Sequence, residues 1–345
     1  MTRISKPVDR ATEFNDAKRL LIEGRDSAAL AAVTKLDLMT GEYRESCYET
    51  AAQALRNMGE IERSMNLLDF AIQNFPGNVQ FRYIRATMLL GLGRYLEAWP
   101  DYELRLKGQQ RCYLPRSLNF PRWNGTRELQ NSKTLETRPA RVLAWSEQGF
   151  GDEIMFASAL PEASGMANFA LECSIDCAPI LRRSLDPHGI DVYAREFNGG
   201  IPAALHGREF DYEIPIASLP LALGWAKPKK HEYLTTNFSQ ANQLRKLFID
   251  KAEGRPIVGL SWKGGTFMTR NVARTIDLDR LRPILDQDAL FVSLQHNVND
   301  FDLMRLATMD NVLGRFFVNS LQVKTLDGIA ALVAACDTVV SVCNT

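Results

Sequence analysis

Two glycine-bearing stretches of this 345-residue chain gather the residue types that could do chemistry. The first runs Glu147-Gln148-Gly149-Phe150-Gly151-Asp152, between an apolar run at 141–145 and a helical pattern from Glu153 to Leu160. Glycine lets a backbone approach a ligand, and a helix N-terminus offers unpaired N–H groups to polar or anionic atoms. Asp152 sits at that N-terminus, where a carboxylate caps the helix. The second stretch is Lys263-Gly264-Gly265-Thr266, followed by Arg270, Asn271 and Arg274. Three cations on a flexible loop suit a diphosphate, since lysine supplies a point charge and arginine a two-pronged donor. The spacing is not that of a P-loop, because G-x-x-x-x-G-K-[ST] is absent.

Both stretches need strands and helices to hold them. Continuous apolar runs predict strands at 141–145, 169–173, 191–193, 212–215, 257–262, 290–295 and 338–342. Helical patterns fall between them at 179–185, 219–223, 239–251 and 326–335, with a further helix starting near Asp277. Short strands alternating with helices imply parallel sheets. The segment 107–125, rich in basic, aromatic and proline residues, and the polar stretch 126–139 read as a connector.

Upstream of it the sequence repeats. Ala52, Gly59, Ile61, Ser64 and Leu68 superpose on Ala86, Gly93, Tyr95, Ala98 and Tyr102 at one constant offset, the 34-residue period of a tetratricopeptide unit. The alanines are small where two helices cross, and the glycines suit the turn between them. Asn74-Phe75-Pro76-Gly77 stops a helix. A weaker copy, Gly24, Ala29 and Val33, lies one residue out of register, so the sequence shows two good repeats and one degenerate one. Such an array either presents a surface to a partner or packs against the next domain.

Forty-one Lys plus Arg balance forty-one Asp plus Glu, which gives no overall field toward nucleic acid or anionic membrane. No stretch approaches the roughly 20 apolar residues of a membrane span, and the polar N-terminus has no secretory core, so a cytoplasmic location is expected. The six cysteines are scattered; Cys173 and Cys177 lack a second ligand pair and read as reduced packing residues, with no metal expected. His188, His206, His231 and His296 are isolated, which excludes H-E-x-x-H and triad motifs. The first glycine loop also lacks G-x-G-x-x-G, which disfavours a dinucleotide oxidoreductase.

The run E-Q-G-F-G-D-E-I-M-F from Glu147, the V-G-L-S-W-K-G-G and R-N-V-A-R-T-I segments, the F-V-S-L-Q strand and the D-G-I-A-A-L-V-A-A-C-D-T-V-V-S-V-C-N-T terminus carry a family resemblance. Together they resemble bacterial tetratricopeptide proteins with a glycosyltransferase family 9 domain, relatives of the heptosyltransferases, from about Gly41 onward. The resemblance implies a GT-B fold, two Rossmann-like halves, so that the fold class is α plus α/β. The domains are then helical repeats at 12–106, a linker at 107–139, an acceptor-side half at 140–226 and a nucleotide-sugar half at 239–345. It implies Asp152 as general base, with Gln148, Gly149 and Gly151 in the acceptor-side loop. Lys263, Gly264, Gly265, Arg270, Arg274, Asn344 and Thr345 would face the donor diphosphate.

Nucleotide sugar is then a substrate, no cofactor or metal is needed, and a protein or glycan is the acceptor, with a protein partner for the repeats. The terminus departs from the family's D-N-S/T-x-x-H loop, with Cys343 where an acid is usual and no histidine before the chain stops. The second half is accordingly expected to be incomplete, with an open strand edge. The alternative expectation is a non-catalytic interaction protein carrying a degenerate, truncated transferase domain.

Overall fold

The computed structural model describes residues 10–36, 44–107, 118, 120–130, 135–195, 205, 207–227, 232–266, 269–295, 298–309, 312–317 and 325–343. Asn344 and Thr345 lie outside them, as do His206, His231 and His296. The chain divides into two compact units. One holds Met1–Arg111, Gly224–Pro228 and Thr266–Ala273; the other holds Cys112–Leu223, Lys229–Gly265 and Arg274–Thr345.

Among the described residues the first unit is built of three antiparallel helix pairs: α1 (Arg10–Ile22) with α2 (Asp26–Lys35), α3 (Arg44–Asn57) with α4 (Ile61–Asn74), and α5 (Val79–Gly91) with α6 (Tyr95–Tyr102). All three pairs turn the same way. Gly24, Gly59 and Gly93 have φ of 78°, 81° and 77°, a left-handed conformation that suits glycine. In each turn the glycine N–H reaches back three residues (to Leu21, Arg56 or Leu90), and the next N–H reaches back five, to Leu20, Leu55 or Leu89. That is the Schellman closure of a helix, made three times. The degenerate copy read at Gly24 is therefore a full helix pair.

The repeated positions are the packed ones. Ala52, Ser64, Leu68, Ala86 and Ala98 are fully buried, as are Ala29 and Val33. Small side chains let the helices approach, and Ser64 satisfies its hydroxyl on the Ala52 carbonyl at 2.7 Å. Tyr48, Leu68, Phe81, Ile84 and Met88 fill the space between the second and third pairs. Trp99 of α6 donates its indole N–H to the Trp225 carbonyl at 2.8 Å, which ties residues 224–228 into this unit.

Among the described residues the second unit carries two parallel four-stranded sheets. In the first, β3 (Arg141–Trp145), β4 (Asn168–Cys173), β5 (Asp191–Ala194) and β6 (Tyr212–Pro215) lie in the order β5-β4-β3-β6. The helices α7 (Phe150–Ala157), α8 (Leu160–Ala163), α9 (Ala178–Leu185) and α10 (Leu219–Ala222) connect or follow them. In the second sheet, β7 (Ile257–Ser261), β8 (Leu290–Ser293), β9 (Phe316–Phe317) and β10 (Thr338–Ser341) lie in the order β10-β7-β8-β9, with α11 (Phe238–Ala252), α12 (Arg282–Leu285), α13 (Asp300–Ala307) and α14 (Leu326–Ala334). Counted along each sheet's own strands, both read third, second, first, fourth.

Alternation decides the two faces of the second sheet. Leu260, Phe291 and Phe316 pack on one side with Leu281, Leu285 and Leu306. Ile257, Leu290 and Val292 pack on the other with Leu244, Phe248 and Leu332. Both faces of the central strands are covered, which is why β7 and β8 read as continuous apolar runs. Gly259 leaves room for its neighbours there, since a Cβ would lie 2.8 Å from Leu294 Cδ1 and 3.1 Å from Cys336 Sγ. The edge strand β10 is different, with Val339 exposed.

Three features depart from the sequence expectation. The connector is not featureless: β1 (Glu128–Gln130) and β2 (Thr137–Pro139) pair as an antiparallel hairpin, and Trp123 beside it is buried. The helix expected over 153–160 starts at Phe150 and breaks at 158–159 before α8, whose Pro161 suits a first turn. Neither α13 nor β9 was expected.

Candidate functional site

Ligands of parallel α/β sheets bind beyond the carboxyl ends of the strands, so the loops after β3 and β7 are the places to look. After β3 the chain passes Ser146 and Glu147, both buried, and takes a left-handed step at Gln148 (φ 65°) before Gly149 caps α7. Asp152 is the third residue of that helix. Its Oδ2 accepts the Gly149 N–H at 3.1 Å, the half of a capping box that a glycine at the cap position allows. Oδ1 of Asp152 has no partner among the described residues.

The neighbouring acids hold the loop in place. Buried Glu153 accepts from the Ser174 N–H at 3.0 Å and its hydroxyl at 2.9 Å, which joins α7 to the turn before α9. Glu172, at the end of β4, is fully buried and accepts from Arg195 Nε at 2.9 Å. Arg195 also donates to the Ser146 carbonyl and, at 3.2 Å, to its hydroxyl. One guanidinium thus pins the carboxyl ends of β3, β4 and β5 together, and its charge answers that of Glu172. Cys173 and Cys177 are buried beside this cluster; burial pushes both thiols up, Cys177 to about 12, so neither offers a thiolate.

After β7 the loop is closed at its base. Lys263 pairs with Thr275 in an antiparallel bridge, Gly264 donates its N–H to the Arg274 carbonyl at 3.0 Å, and Ile276 donates to the Trp262 carbonyl at 2.9 Å. The Gln295 carboxamide, at the end of β8, clamps this base. Its oxygen accepts from the Lys263 N–H at 2.9 Å and its nitrogen donates to the Lys263 carbonyl at 3.0 Å. Lys263 Nζ reaches both oxygens of buried Asp302 on α13, at 2.7 and 2.6 Å.

The three expected cations do not share one environment. Lys263 and Arg274 lie side by side at the base of the loop, where Arg274 is exposed with no ion-pair partner among the described residues. Arg270 instead belongs to the helical unit, where it donates to Asp26 Oδ2 at 2.7 Å. Gly265 takes φ 72° beside them. Sequence reasoning passed over Gln295, Asp302, Glu153, Glu172 and Arg195. The Asn299 cap of α13, whose Oδ1 accepts the Asp302 N–H at 2.9 Å, is the signal that could have found Asp302.

The two sheets of this unit are tied through their helices. Arg183 of α9 grips both oxygens of Asp327 on α14, and the Tyr233 hydroxyl donates to the Ile154 carbonyl. In the helical unit, a groove of about 610 Å³ lies among α4, α5 and α6, lined by Ile61, Met65, Asp69, Arg85, Leu89 and Leu92. Arg85 spans its floor, bonding Asp69 at 2.8 Å and buried Asp101 at 2.9 Å. Among the described residues no group of His, Cys, Asp and Glu could hold a metal ion, and no helix is long and apolar enough to cross a membrane.

No family model matches the chain. It is 28% identical over 319 residues to Protein FlbA of Caulobacter vibrioides, an alignment that covers 86% of this chain and 51% of that protein. The chain therefore spans about half the length of the curated relative it matches.

Proposed function

We propose that this chain is glycosyltransferase-like, of the GT-B kind, and passes a sugar from a nucleotide-sugar donor to a protein or glycan acceptor. The observation that carries the reading is the repeated strand order of the two parallel sheets, which is that of mononucleotide-binding halves, each with a glycine loop after its first strand. In this reading Asp152 Oδ1 takes the proton of an acceptor hydroxyl as its oxygen attacks the anomeric carbon, while Oδ2 stays on the Gly149 N–H. The bond to the nucleoside diphosphate breaks with inversion, and Lys263 and Arg274 stabilise the charge that leaves. The helix pairs are of tetratricopeptide type and bind acceptor or partner in the groove among α4, α5 and α6. A nucleotide-sugar substrate would fit a cytoplasmic location.

Titration of the full chain with UDP-, GDP- and ADP-sugars by calorimetry tests this. One of them binds, and Asp152→Asn leaves that affinity unchanged while transfer falls at least 100-fold. Absence of binding by all three at millimolar concentration overturns the proposal. A second reading, a non-catalytic interaction protein, is favoured by one observation: the Lys263 charge is already met by Asp302. In that case the groove binds its partner while no nucleotide sugar binds.

A further inference from the structure

The loop that follows β7 contributes residues 266–273 to the helical unit, and one ion pair is the centre of that contact. Asp26 opens α2, its side chain only 12% exposed, and receives Arg270 Nη2 at 2.7 Å on one oxygen and Asn57 Nδ2 at 2.9 Å on the other. The Arg270 guanidinium lies over the first Schellman turn, so close that a Cβ on Gly24 would stand 3.6 Å from Nη2, with Val272 at 3.9 Å. Arg56, from the second helix pair, has its pKa lowered by burial first and by the nearby Arg270 charge second. Asp26 is the anion that the Arg270 guanidinium faces at this corner.

Two costs accompany the contact. Arg270 sits at φ 58°, a left-handed backbone that a non-glycine residue holds only where its surroundings insist. Its Nε is buried and has no hydrogen-bond partner among the described residues. The loop's own bonds, Asn271 N–H to the Thr266 carbonyl at 2.9 Å and Thr266 N–H to Thr269 Oγ1 at 2.7 Å, shape it without touching Asp26. The ion pair is what offsets these costs.

We infer that the Asp26–Arg270 pair is a latch: the ends of the first two helix pairs hold the loop after β7 closed, and loss of that one pair releases it. Arg270 is then withheld from any anion until Asp26 lets go. This inference stands on the helical unit alone and needs no transferase activity.

Hydrogen exchange of the full chain, read by mass spectrometry on peptides spanning 264–276, tests it. Asp26→Asn and Arg270→Ala each speed exchange of that segment about tenfold or more, while α4, α5 and α6 exchange as before. The charge-reversed pair Asp26→Arg with Arg270→Asp restores slow exchange. Because Asp26 starts α2 and its loss could loosen that helix, Arg270→Ala, which leaves every array residue in place, is the deciding variant. Unchanged exchange at 264–276 in Arg270→Ala, or no recovery in the reversed pair, overturns the latch.

Discussion

Lys263→Met and Asp302→Asn remove opposite ends of one ion pair, and their costs should be unequal. The Asp302 side chain is 4% exposed and that of Lys263 is 33% exposed. With lysine gone, a carboxylate is left buried without its cation, a loss of about 3–5 kcal/mol for a fully buried pair. Two circumstances reduce it. Asp302 lies in the first turn of α13, whose N-terminus favours negative charge by roughly 0.3–1 kcal/mol, and solvent near Lys263 already weakens the pair. A cost of about 2–4 kcal/mol remains. With aspartate replaced, the ammonium turns to water and Asn still accepts a hydrogen bond, so the cost is about 1 kcal/mol. Lys263→Met with Asp302→Asn should recover most of the larger loss, because no charge is stranded.

A chain of two units need not unfold in one step, so the measurement belongs to the local structure. Exchange of the β7 and α13 amides is the assay, and 2–4 kcal/mol corresponds to roughly 30- to 700-fold faster exchange in Lys263→Met. Equal or smaller acceleration in Lys263→Met than in Asp302→Asn would refute the burial argument.

Gly259→Ala brings a methyl group within 2.8 Å of Leu294 Cδ1 and should cost about 1–3 kcal/mol, read as faster exchange in β7 and β8. Gly93→Ala forces a left-handed alanine at the last Schellman turn and should cost about 1–2 kcal/mol, visible in thermal unfolding of the helical signal. Asp211, held by Arg138 and by the Arg141 N–H, has its pKa lowered to about 2. That is below the roughly 3.9 of an unfolded aspartate, so its contribution is complete above about pH 4 and fades as pH falls toward 2. The stability gap between the wild type and Asp211→Asn should close across that window in urea titrations at successive pH values.

What the sequence revealed and what it hid follow from how locally each feature is determined. The central strands were legible because burial on both faces makes them uninterrupted apolar runs, and the helix pairs because glycine at a left-handed turn recurs with the repeat. The edge strand β9 has two residues, too few for any period, and the short strands β1 and β2 are exposed apart from half-buried Leu129. The glycine loops of the candidate site stood out for the same local reason. Their partners did not: Lys263 meets Asp302 at a separation of 39 residues, and Arg195 meets Glu172 and Ser146 across strand ends. A charge on a sequence carries no mark of which opposite charge will face it. Arg270 looked like a companion of Lys263, and only the fold shows that it answers to Asp26.

The discontinuity of the helical unit has a consequence for how the protein is made. The six described helices leave the ribosome before the segments that complete their unit, and their turns close on bonds between near neighbours, so each pair can form as it emerges. The unit is not finished by them. Trp99 waits 126 residues for Trp225, and Asp26 waits 244 residues for Arg270. At about 5–20 residues per second, the latter interval is roughly 12–50 s, during which Asp26 has Asn57 but not its cation. For that time the corner beside Gly24 is an open acidic seat, available to any other cationic side chain within reach.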